Sequence, residues 1–180
     1  DLIRDVAELF DRPRLFHLGF DEESARHQVQ YGFCVVRQGD LWWHDLGYLA
    51  DACMKEGMRP WVWSDYVWDH RDEFLGRMSR DILQSNWYYG DDFRTGTDAG
   101  PGAKRIEAYL ALDKAGFEQV PCSSNCDTET SFGKTVAFAR RHLEPTRLKG
   151  FLMAPWTFPC ADDEERTMRS CAIGREVWQA

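Results

Sequence analysis

Two adjacent acids, Asp21 and Glu22, close the segment His17-Leu18-Gly19-Phe20-Asp21-Glu22, where a short apolar run ends on a Gly and then on carboxylates. Neighbouring carboxyls suit glycoside chemistry, in which one protonates the leaving oxygen while another group steadies the cationic sugar. Trp63, Trp87 and Trp156 each stand near the end of an apolar or aromatic run, as do the polar residues Asp65 and Asn125. Indole faces beside carboxylates are what a sugar-cleaving site needs, because the ring covers the apolar face of a sugar and the acids do the proton transfer.

Such residues must be carried by elements that end at one place. Residues 15–23, 59–65, 82–89, 117–125 and 150–156 are apolar or aromatic runs closing on polar residues, which reads as buried parallel strands delivering side chains to their C-terminal ends. Helical spacing fills the gaps. Leu2 to Phe10 carries an apolar stripe, Leu41 to Glu56 follows Asp40 as a cap and stops at Gly57, and Ala103 to Ala115 stops at Gly116. Further helices are expected over residues 72–78, over 132–142 with Ser131 as cap, and over 163–178. The longest loops follow Glu23 and Tyr89, the second of them rich in Gly, Asp and Thr.

This order predicts an α/β fold, a (β/α)8 barrel of the TIM type, with residues 1–180 forming one domain that supplies about strands four to eight. Five strands do not close an eight-stranded barrel, so the remainder is expected from another segment or a partner. An open sheet is the alternative.

Composition narrows the function further. The 180 residues are 43% hydrophobic and 14% aromatic with eight Trp, which argues for a well-buried domain. Arg and Lys total 22 against 30 acids, for a formal charge of −8 with no basic run, so nucleic acid is not an expected partner. No apolar stretch is long enough for a membrane span, and the N-terminus has neither the basic region nor the apolar core of a signal peptide. Six scattered Cys include no C-x-x-C pair, so buried thiols are expected and no metal or other cofactor.

His17-Leu18-Gly19-Phe20-Asp21-Glu22 resembles the H-x-G-G-D-E motif of glycoside hydrolase family 20, the β-N-acetylhexosaminidases, with Phe20 in place of the second Gly. Arg59-Pro60-Trp61-Val62-Trp63-Ser64-Asp65 is similar to the family's next strand, Gln84-Ser85-Asn86-Trp87 to its Q-x-W strand, and Ala154-Pro155-Trp156 to its last strand. The resemblance implies an exo-hydrolase that removes terminal N-acetylhexosamine with retention, the substrate's acetamido group acting as nucleophile. It makes Glu22 the general acid and base and Asp21 the residue that orients the acetamido nitrogen and stabilises the oxazolinium. Trp63, Trp87 and Trp156 become the aromatic box, with His17, Asp65 and Asn125 as further substrate contacts. Two family positions differ. Asn125 stands nearest to where a Tyr would bond the acetamido oxygen, and Phe158 replaces an acid two residues beyond the last Trp.

Other readings of the same residues stand beside this one. The three acids at 21–23 suit a helix N-terminus, His17 suits a buried strand interior, and Asp65 either bonds a sugar hydroxyl or caps the turn after its strand. Trp61 and Trp63 share one strand face, where interior packing explains Trp61 as well as a ligand does. Two other functions fit the pattern: a carbohydrate-binding protein on the same barrel without turnover, and a barrel glycosidase with a protein nucleophile such as Glu129.

Overall fold

A computed structural model describes residues 1–23, 29, 37–158 and 160–179. Most of the loop expected after Glu23, and with it Cys34, lies outside the described residues. Helices alternate with short strands, and by its internal contacts the chain divides into two compact units, Asp1–Gln84 and Ser85–Ala180. No linker marks the division, which falls inside a strand.

The first unit opens with α1 (Leu2–Leu9) and β1 (Leu15–His17), and continues through α2 (Asp40–Lys55), β2 (Arg59–Trp63) and α3 (Arg71–Arg77) into β3 (Leu83–Ser85). The sheet order is β1-β2-β3, and β1 runs parallel to β2 with His17 opposite Trp61. Along β2 the pleat buries Pro60 and Val62 and leaves Arg59, Trp61 and Trp63 half-buried on the other face. That buried face belongs to the helix layer: α2 turns Trp42, Leu46, Ala50 and Cys53 inward at helical spacing, and Met58, Val67 and Phe74 are buried in the same unit. The apolar stripe of α1 is only partly covered, with Ala7 buried and Leu2 and Leu9 exposed.

Helix α2 ends as its sequence requires. Gly57, at φ 78°, lets the Met58 N–H reach Cys53 O while its own N–H reaches Met54 O, a left-handed termination that turns the chain straight into β2. Its start is different from the expectation. Gly39 is the N-cap, and Asp40 is the first helical residue with its carboxylate accepting a hydrogen bond from Arg77 at 2.8 Å. A nearby guanidinium took the oxygen that the helix end had been expected to hold.

In the second unit α4 (Ala103–Lys114), β4 (Cys122–Ser123), α5 (Ser131–His142), β5 (Leu152–Met153) and α6 (Glu164–Gln179) follow in order. β4 and β5 are parallel, with single bridges Trp87 to Cys122 and Gln119 to Leu148 extending the pattern. The strand expected over 117–125 is reduced to two residues and a bridge. Pro121 has no N–H to give a ladder, which interrupts the pairing between Gln119 and Cys122. Gly116 repeats the termination seen at Gly57: at φ 84° it allows Phe117 N–H to bond Leu112 O. Ile106, Tyr109, Ala139 and Leu143 form the core between α4 and α5, and Phe132, Val136 and Ile173 a second cluster against α6. Ser131 is not a cap. Thr130 precedes the helix, and the buried Ser131 hydroxyl lies 2.8 Å from Ser123 Oγ.

No described helix is long and apolar enough to cross a membrane.

Candidate functional site

The carboxyl cluster forms where β1 and β2 end. After His17 the Leu18 N–H bonds Trp61 O at 2.8 Å and the Trp63 N–H bonds Gly19 O at 3.0 Å, which carries the parallel pairing past the strand itself. The chain then bends sharply. Gly19, Phe20 and Glu22 have φ of 80°, 72° and 51°. Left-handed backbone at two non-glycine residues puts strain in the turn that carries the expected acids.

Phe20 shows what holds that bend. Its side chain, 4% exposed, meets Trp42 edge to face at 5.3 Å and lies under the Arg37 guanidinium at 4.1 Å. Phe20 is itself left-handed, and burial of its ring offsets the strain. Phe20→Gly should therefore be more stable than Phe20→Ala by about 1 kcal/mol, the reverse of the usual order, since both lose the ring and only Ala keeps the strain. Urea unfolding of the two variants checks this, and Ala emerging as the more stable would refute the account of the bend.

Beyond the bend, the Glu22 N–H donates to Asp65 Oδ2 at 2.9 Å, so an acid from the end of β2 holds the main chain of an acid from the end of β1. The other oxygen, Oδ1, is enclosed with no hydrogen-bond partner among the described residues. Burial pushes the Asp65 carboxyl up to about 7; the Glu22 N–H opposes the shift and the charges of Asp21 and Glu22 add to it. Burial also raises Asp21, against the pull of its own backbone N–H.

His17 lies under this cluster between two indoles, with ring centroids 4.7 Å from Trp61 and 4.6 Å from Trp63. Its Nδ1 accepts the Gly19 N–H at 3.0 Å, so the proton of the neutral ring is on Nε2, which is buried without a partner among the described residues. Burial drives the imidazole down to about 4. A neutral ring that accepts a backbone N–H positions the turn after β1 and does not exchange protons near neutrality. Sequence alone left open whether Asp65 capped its turn; it bonds a distant N–H instead.

A cavity of about 540 Å³ is lined by Phe20, Glu22, Trp42, Asp65, Tyr66 and His70 among others, and of the residues expected in the site from this unit Asp21, His17 and Trp63 are not in its lining. That volume is in the range of small-molecule pockets. Glu23, on its rim, is paired with Arg37. Trp42, Tyr66 and His70 stack in succession at 4.5 and 4.2 Å, an aromatic wall that periodicity did not reveal because its members come from α2 and from the turn after β2.

Trp87, Asn125 and Trp156 belong to the second unit. Trp87 stacks on Tyr89 at 5.1 Å, and Tyr89 meets Trp156 edge to face at 6.2 Å, so Tyr89 joins two expected Trp residues in one cluster. Trp156 is 52% exposed and left-handed at φ 50°. The Arg105 guanidinium lies 5.4 Å from the Trp87 ring centroid. Asn125 Oδ1 is 2.9 Å from Ser170 Oγ, which fixes the amide against α6. Both oxygens of Glu129 are taken by Arg169, at 2.9 and 2.6 Å, and this pairing holds its carboxyl below the ordinary range. A carboxylate so engaged is poorly placed to act as nucleophile.

Among the described residues no group of three or more His, Cys, Asp or Glu side chains could hold a metal ion, and the described cysteines are free thiols. The chain matches no family model and no curated protein.

Proposed function

We propose that this chain is part of the catalytic domain of a glycosidase resembling family 20, which removes terminal N-acetylhexosamine with retention and uses the substrate's own acetamido group as nucleophile. The observation that carries the reading is the meeting of Asp21, Glu22 and Asp65 at the C-terminal ends of two adjacent parallel strands, beside a cavity with aromatic walls. Glu22 protonates the glycosidic oxygen and then takes a proton from the water that opens the oxazolinium. Asp21 orients the acetamido N–H and balances the ring charge. His17, kept neutral, holds the turn that carries the acids by accepting the Gly19 N–H on Nδ1, and Trp63 packs beside it. Trp87 and Trp156, in the second unit, supply rings suited to a sugar's apolar face. The (β/α)8 barrel, with this chain as strands four to eight, belongs to the same proposal.

Engagement of both Glu129 oxygens by Arg169 supports substrate assistance over a protein nucleophile. Asn125, held by Ser170, and the exposed Phe158 favour the second reading, a carbohydrate-binding protein without turnover. A chromogenic N-acetyl-β-glucosaminide and a thiazoline mimic of the oxazoline separate the two. Hydrolysis blocked by the thiazoline is the expected result. Thiazoline binding without hydrolysis establishes the binding protein, and failure of both refutes any N-acetylhexosamine site.

A further inference from the structure

We infer that Asp65 is a positioning residue for Glu22, gripping the main chain of the acid/base through a hydrogen bond made across 43 residues of sequence. The inference rests on the reading of Glu22 given above and gives Asp65 a role other than contact with a sugar.

The backbone pairing between the β1 and β2 segments reaches Gly19 O through the Trp63 N–H. Beyond that point the chain passes through Phe20 and Glu22 in the left-handed region, which a residue with a Cβ leaves unless something holds it. The Phe20 ring is one holder, on the side of α2. Asp65 Oδ2, at 2.9 Å from the Glu22 N, is the other, and it grips the residue whose carboxyl must be placed.

Asp65 is itself set firmly. It opens the single-turn 3-10 helix Asp65–Trp68 directly after β2, where the buried Ser64 donates its hydroxyl to Gln84 Oε1 at 3.0 Å and accepts the Val67 N–H on its carbonyl at 3.0 Å. Gln84 is locked in turn by donating to Ile82 O at 2.8 Å. A carboxylate that served only for solvation would turn both oxygens to water, whereas Oδ1 of Asp65 is enclosed. The groups facing it are Asp21 and Glu22 from the bend after β1, with Asp69, His70, Glu73 and the Glu23–Arg37 pair around the shared cavity. Precise placement of a proton donor is worth much in rate, since a displacement of about 1 Å costs on the order of 10²-fold.

The test uses the full chain with Asp65→Ala and Asp65→Asn, alone and in a Glu22→Gln background, on a nitrophenyl N-acetyl-β-glucosaminide, together with hydrogen exchange at the Glu22 amide. Asp65→Ala should lower kcat by about 10- to 100-fold and KM along with it, because a nitrophenolate leaves unaided and only the second step then depends on Glu22. Asn retains an oxygen acceptor and should recover most of that loss. With Glu22 already replaced, Asp65→Ala should cost nothing more, because it acts through Glu22. Exchange at the Glu22 amide should quicken about tenfold or more in the Ala variant and remain slow in the Asn variant. This readout does not need turnover, so a chain that hydrolyses nothing but shows the exchange pattern retains the positioning role and loses the glycosidase reading. Equal exchange in wild type and Asp65→Ala overturns the inference whatever the activity, as does an active Asp65→Ala with undiminished kcat.

Discussion

Glu22→Gln should lower kcat/KM for an N-acetyl-β-glucosaminide by about 10²- to 10⁴-fold while the variant still binds a thiazoline. The amide is nearly isosteric, and the main-chain N–H of residue 22 keeps its bond to Asp65, so the bend and the cavity wall survive. What disappears is the proton, which has to reach the leaving oxygen in the first step and be recovered from water in the second. The loss should be largest for alkyl aglycones. A nitrophenolate departs without help, so with that substrate only the second step feels the change. Undiminished hydrolysis of an alkyl glycoside by Glu22→Gln would remove Glu22 from the mechanism. Trapping of a fluorosugar on the protein would replace substrate assistance with a protein nucleophile.

Asp65→Asn should abolish a fall in stability with rising pH, and His17→Gln a fall with falling pH. The Asp65 carboxyl has its ordinary value of 3.8 in the unfolded chain and about 7 when folded. Below 3.8 it is protonated in both states, and as pH rises toward 7 the unfolded chain releases a proton that the folded chain keeps, so stability is lost across that window. At about 1.4 kcal/mol per pH unit the ceiling is about 4 kcal/mol. His17 runs the other way. Its value of 6.5 when unfolded drops to about 4 on burial, so the stability it contributes is complete above 6.5 and disappears as pH falls toward 4, with a ceiling of about 3 kcal/mol. Over pH 4 to 6.5 the two slopes oppose each other, with burial of Asp21 adding to the sense of Asp65.

The wild-type chain should therefore change little between pH 4.5 and 6.5 with respect to these groups. Asp65→Asn should gain stability steadily as pH rises through the same range and exceed the wild type by about 2–4 kcal/mol near pH 8. His17→Gln should show the opposite slope. Urea unfolding at three pH values measures both. Curves for Asp65→Asn and wild type that run parallel would mean that Asp65 is not held protonated by the fold.

Local rules reach some of this molecule without help. The left-handed terminations at Gly57 and Gly116 follow from one residue type at the end of a periodic run, and each turns a helix into the next strand segment. The shared face of Trp61 and Trp63 follows from a period of two. Asp40 and Ser131 fail as caps because other groups compete for their oxygens: Arg77 reaches Asp40 from 37 residues away, and Ser123 meets Ser131 from the strand just before its helix. The short strands around Pro121 were legible in principle from its missing N–H, but apolar content outweighed it.

The candidate site divides in the same way. Sequence by itself determined which residue types could do the chemistry and that Asp21 and Glu22 follow a strand, because these depend on neighbours along the chain. Only the tertiary structure decided that Asp65 holds Glu22, that His17 is neutral between Trp61 and Trp63, that Tyr89 joins Trp87 and Trp156, and that Arg169 occupies Glu129. Each of these rests on a distance between residues remote in sequence or on the loss of water around a charged group, and neither quantity exists until the strands and helices have packed.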